Sequence, residues 1–80
     1  MTGSQAASPD AARLDAALRA HHAGGDAAAL SALHCQAAAL MTDPAARRFH
    51  LTHAWIYALV AGDAARITTL ERQLRALNGL

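Results

Sequence analysis

The tetrapeptide Gly-Asp-Ala-Ala occurs twice, as Gly25-Asp26-Ala27-Ala28 and as Gly62-Asp63-Ala64-Ala65, 37 residues apart. Each copy reads as a helix stop followed at once by a helix start. Glycine tolerates the left-handed backbone that closes a helix, and the Asp after it can accept from the unpaired N–H groups that open the next one. The same spacing governs the flanks. Leu14 aligns with Leu51 and Ala17 with Ala54 ahead of the turn. Leu33, Gln36, Ala39 and Leu40 align with Leu70, Gln73, Ala76 and Leu77 behind it, and Leu30 aligns with Ile67. Over residues 14–42 laid on 51–79, ten of twenty-nine positions are identical. Ala-rich sequence inflates such a count, so the turn in register with the Leu pair carries more of the argument.

Helix punctuation divides the rest of the chain. Ser8-Pro9-Asp10 sets a cap, a first-turn Pro and a first-turn acid in the order that starts a helix. Ala11, Leu14, Ala17, Leu18 and His21 follow at helical spacing until Gly24-Gly25. Asp26 starts a second helix, with Leu30, Leu33, Ala37, Leu40 and Met41 as its apolar face. Thr42-Asp43-Pro44 ends that helix and begins a third. Gly62 and Asp63 pass to a fourth, which carries Ile67, Leu70, Leu74 and Leu77 on one side. The expectation is all-α: four short antiparallel helices near 9–23, 27–41, 44–61 and 64–77, with no strand. Residues 1–7 are small and polar and are expected to be disordered. Residues 8–80 then form one domain, with hairpin one over 8–42 and hairpin two over 43–79, as a compact bundle or an array.

The unit resembles the tetratricopeptide (TPR) repeat: an aromatic-bearing first helix, a Gly-Asp turn, and a second helix with an i, i+3, i+7 apolar stripe. The period of 37 departs from the usual length of about 34. The positions at which the family places small residues fall on Leu18 and Trp55 in the first helices, and on Leu30 and Ile67 in the second. The resemblance implies a scaffold that binds protein.

Composition narrows the chemistry. Eighty residues allow a single domain with a thin core, because Ala supplies much of the 54% apolar content and buries little area per residue. A partner, a second copy of the chain or unusually close helix packing is therefore expected to help. The formal charge of +1 gives no case for nucleic acid or an anionic membrane. All seven basic residues are Arg, a bias that reads as GC-rich coding and removes Lys-based mechanisms. Cys35 is alone, so no intrachain disulfide can form. The first residues read as no secretory signal, and Ala54 to Ala61 is far too short an apolar run to cross a bilayer. The expected location is cytoplasmic.

The third helix differs from the others. Phe49, Ile56 and Val60 share one side and Leu51, Trp55 and Leu59 spread over another. Only a narrow arc of Arg47, His50, Ala54, Tyr57 and Ala61 reads as wet. A helix apolar nearly all round is buried on most sides. It is therefore expected to be the centre of the bundle or the face that meets a partner.

No catalytic signature accompanies this pattern, and the chain is expected not to be an enzyme. Four of the six acids, Asp10, Asp26, Asp43 and Asp63, sit at helix starts, where a carboxylate meets free N–H groups and the positive end of the dipole. Glu71 is placed to pair with Arg75 four residues on. His21-His22 falls in the last turn of helix one, where a cation is favoured. His50 and His53, three apart, could share a metal, although zinc wants about four ligands and no paired-Cys or His-Glu-x-x-His pattern is present. Otherwise His21 and His53 are expected to be partly buried and the remaining His solvated. Cys35 reads as an inert thiol at a helix contact. Arg47-Arg48 with Arg66, Arg72 and Arg75 could form a modest basic patch. The leading expectation is a non-enzymatic interaction module or small assembly subunit. Its partner-binding candidates are Phe49, Trp55, Ile56, Tyr57, Arg66, Arg72 and Arg75. The partner is another protein or a second copy, with a dimer as the expected form. No cofactor is implied. The alternative is a small metal- or ligand-binding protein that uses His50 and His53.

Overall fold

The computed structural model describes the backbone of residues 9–80 and the side chains of residues 10–20 and 25–80. The Ser8 cap, the disorder expected of 1–7 and the side chains of His21 and His22 lie outside the described residues. Four helices follow one another: α1 (Pro9–Gly24), α2 (Ala27–Leu40), α3 (Pro44–Ala61) and α4 (Ala64–Ala76). No strand occurs among the described residues.

The two Gly-Asp turns share one geometry. Gly25 and Gly62 adopt φ of 69° and 73°, in the left-handed region that Gly enters without steric cost. The Asp26 carboxylate accepts from Ala29 N at 3.0 Å, and the Asp63 carboxylate accepts from Arg66 N at 3.1 Å. Asp43 does the same for α3, accepting from Ala46 N at 2.9 Å just ahead of Pro44. At the end of α3, Asp63 N donates to Ala58 O and Gly62 N to Leu59 O, the paired bonds that close a helix on a left-handed residue.

Each helix packs on its neighbour in sequence, α1 on α2, α2 on α3 and α3 on α4, and among the described residues α1 does not meet α4. The pairs are antiparallel: Ser31 reaches Ala54 while His34 reaches His50, and Trp55 reaches Glu71 while Arg48 reaches Leu77. The Cα atoms fill a slab of 42 × 31 × 14 Å.

The core corrects the sequence reading of α2 and α3. Because α2 lies between two helices, it buries two faces, through Leu30, Ser31, His34, Ala37 and Ala38, while Leu40 stays 44% exposed. On α3 the buried residues are Leu51, Ala54 and Ala58. Ala54, expected in the wet arc, is fully enclosed; Arg47 and Ala61 of that arc are exposed. The physical reason is close approach. Ala38 of α2 and Ala54 and Ala58 of α3 join Leu51, Leu70 and Leu74 in one core cluster. Small residues at the crossing let the two backbones draw together. Of the bulky side chains of α3, Leu51 enters the core and Trp55 packs against it, while Phe49, Ile56, Leu59 and Val60 are exposed. On α4 the expected stripe holds: Leu70 and Leu74 are buried, with Ile67 and Leu77 packed against the cluster.

Candidate functional site

The outer face of α3 carries the largest exposed apolar side chains of the described residues. Phe49 is 55% exposed, Ile56 44% and Val60 70%, and Leu59 at the margin is 47% exposed. Positions 49, 56 and 60 fall on one helical row, directly opposite the buried Leu51, Ala54 and Ala58. No charged residue interrupts that row. Its polar neighbours turn their polar atoms back onto their own helix. The Thr52 hydroxyl donates to Arg48 O at 2.8 Å, and His53 Nδ1 donates to Phe49 O at 2.8 Å. The His53 ring lies against Phe49, with ring centroids 4.3 Å apart.

Trp55 and Tyr57, expected on the same surface, belong to the two flanks. The Trp55 indole donates Nε1–H to Glu71 Oε2 at 3.1 Å, fixing α3 to α4. Glu71 therefore faces the indole instead of Arg75. Tyr57 stacks on His34 of α2, with ring centroids 5.8 Å apart and planes 13° from parallel.

The Arg residues do not gather into one patch. Arg66 turns to α2, where Nη1 donates to Ala28 O at 3.4 Å. Arg72 and Arg75 are exposed elsewhere on α4. Arg48 donates to Leu77 O at 3.0 Å, placing a cation at the negative end of α4, where the dipole favours it.

A second cluster lies between α2 and α3. His34, expected to be solvated, is only 5% exposed, and its Nδ1 lies 3.0 Å from Nδ1 of His50. His53 packs on the same ring, with centroids 5.1 Å apart. Burial, and then the neighbouring charge of His53, lower the His50 pKa below its ordinary value. His50 and His53 thus point their Nδ1 atoms at different partners, one at His34 and the other at a backbone carbonyl. Among the described residues no three His, Cys, Asp or Glu side chains converge closely enough to hold a metal ion. Sequence reasoning missed His34 and Ser31 because their positions fall beside the Leu stripe of α2. The signal was Ala38, a small residue of α2 that joins Ala54 and Ala58 of α3 in the core.

Cys35 is half-buried against the core. Burial pushes its thiol pKa up, only partly opposed by the charge of Arg66, which leaves little thiolate to act as a nucleophile. No helix of the described residues is long and apolar enough to cross a membrane. Comparison with family models, curated proteins and solved structures finds no match to this chain.

Proposed function

We propose that this chain is a non-enzymatic, cytoplasmic interaction module, a small assembly subunit that pairs with a second copy of itself through the outer face of α3. The observation that carries the reading is the row Phe49, Ile56 and Val60, exposed on the side of the helix away from the core. Contiguous apolar surface of this kind marks interaction sites on folded proteins. Because Thr52 and His53 already satisfy their hydrogen bonds on α3 itself, covering the row strands none of those bonds. An uncharged row is also compatible with its own copy. In an antiparallel pair, Phe49 of one chain faces Val60 of the other across a two-fold axis, the symmetry that most soluble dimers adopt. The twin Gly-Asp turns of equal geometry support a duplicated, TPR-like hairpin as the scaffold.

A face this narrow falls at the small end of interfaces, below the roughly 1,200 Å² of a standard stable one, so the pairing is expected to depend on concentration. Sedimentation across a concentration series tests it. A monomer–dimer equilibrium abolished by Val60→Lys supports the reading. A chain that remains monomeric at its highest attainable concentration overturns it.

A further inference from the structure

Because each helix runs antiparallel to its neighbour, α2 and α4 are parallel to one another on either side of α3. Arg66 reaches from α4 to Ala28 O of α2 near the start of both helices, and an open groove of about 560 Å³ lies between them. Leu51, Leu70 and Ala38 close its bottom, Cys35 faces it from α2, and Arg47 and Arg66 rise from its rim. The outer face of α3 lies on the opposite side of the slab, so this surface is separate from the one proposed for self-pairing.

Three features define what the groove accepts. It is helix-shaped: two parallel helices flank a third, and the space above the third has the form of a missing fourth. Its walls are low, since Ala39 and Ala65 line it, and small residues let another backbone come near. Its charge is mixed at one end, where Asp63 lines it beside Arg66, and basic at the other, where Arg47 stands. Among the described residues, Arg47 has no carboxylate within ion-pair distance. Arg66 is already engaged, by Asp63 at 3.9 Å and by Ala28 O at 3.4 Å. The antiparallel register sets Arg47 in the first turn of α3 and Arg66 level with its last turns. Arg47 therefore stands at one end of the groove and the Arg66–Asp63 pair at the other, about 19 Å away at 1.5 Å per residue.

We infer that this groove docks an amphipathic helix of a partner protein, about three to four turns long, with an acidic residue near the end that meets Arg47 and small or apolar side chains along the rest. Arg47 fixes one end of the helix, and the Leu51–Leu70 bottom receives its apolar side.

The probe is a fluorescein-labelled helical peptide with Glu near one end and Leu and Ala along the rest, titrated against the full chain. Saturable anisotropy is expected, weakening with added salt as screening grows. Arg47→Glu is expected to weaken binding about tenfold or more, the scale of one close charge pair lost at an interface, while Arg47→Lys keeps most of it. Bound peptide is also expected to slow alkylation of Cys35 by iodoacetamide. Arg47 is exposed, so its variants keep the fold, which a thermal melt followed by circular dichroism verifies. Absence of saturable binding, binding indifferent to Arg47→Glu, or a Cys35 alkylation rate unchanged by peptide each overturns the assignment. Val60→Lys on the far side is expected to leave peptide affinity unaltered, so the two surfaces succeed or fail separately.

Discussion

His34 Nδ1 and His50 Nδ1 lie 3.0 Å apart across the α2–α3 interface, and two ring nitrogens at that distance can share one proton but not two. One imidazole donates and the other accepts. If both rings become cations, both Nδ1 atoms carry hydrogen and the bond is replaced by repulsion. His50 titrates below its ordinary value in the folded chain because burial disfavours its charged form. The folded state therefore binds fewer protons than the unfolded state, and stability rises with pH where the two differ. The contribution is fully present above the ordinary His value of about 6.5 and is lost as pH falls through the lower folded value. Urea midpoints are expected to be flat from neutral pH upward and to drop on acidification. His50→Leu is expected to flatten that drop. Equal acid sensitivity in the variant and the parent would remove His50 as the cause.

Ser31 is wholly enclosed, and its hydroxyl donates to the Ala54 carbonyl at 2.8 Å. That carbonyl lies inside α3 and keeps its own helical bond, so removing the hydroxyl leaves no acceptor unsatisfied. Ser31→Ala is therefore expected to cost only the net worth of one buried bond, about 1 kcal/mol. Ser31→Val adds volume where the two helices touch and is expected to cost more. Chemical denaturation of the two variants orders them. The reverse order would show that space remains at the crossing.

The helix boundaries were legible because each is marked by a local device that needs no tertiary partner: Pro9, Pro44, the three Asp caps, Gly25 and Gly62. The interior of the slab was less so. Hydrophobic periodicity weights a residue by size, and here four of the buried positions of α2 and α3 are Ala37, Ala38, Ala54 and Ala58. These carry little signal in sequence and much in packing. The same blindness assigned Ala54 to water and left unclear which apolar side of α3 would be covered. Phe49 and Ile56 were identified as candidates, but Trp55 and Tyr57 were grouped with them although helical rotation sends each to a different neighbour. The His34–His50 contact required the relative register of two helices, which spacing along one helix does not supply.

Ala58 tests the small-residue crossing directly. It is completely buried beside Leu70 and Leu74, so a larger side chain has to push α3 away from its neighbours. Ala58→Leu is expected to destabilise the chain by about 1–3 kcal/mol, the usual range for overpacking, and to lower the thermal midpoint by several degrees, as expected for a domain of this size. Ala61→Leu, at an exposed position one turn on, serves as the comparison, with a change within about 0.5 kcal/mol. Similar losses at both positions would mean that helix propensity, not packing, sets the response.

The outer row of α3 yields the opposite pattern, because its side chains contribute little to the fold of a single chain. Val60 is 70% exposed and Ile56 44% exposed, so replacing either by Lys removes little buried area. Lys is also a better helix former than the β-branched residue it replaces. The stability of the dilute monomer is expected to stay within about 0.5 kcal/mol of the parent, while association through this face disappears, since a cation would have to be desolvated against its own copy. Denaturation at low concentration reads the first quantity and sedimentation at high concentration reads the second. A substantial loss of monomer stability in Val60→Lys would place that side chain in the core of the single chain and contradict the exposed position described here. Unchanged stability together with unchanged self-association would transfer the interface to another surface.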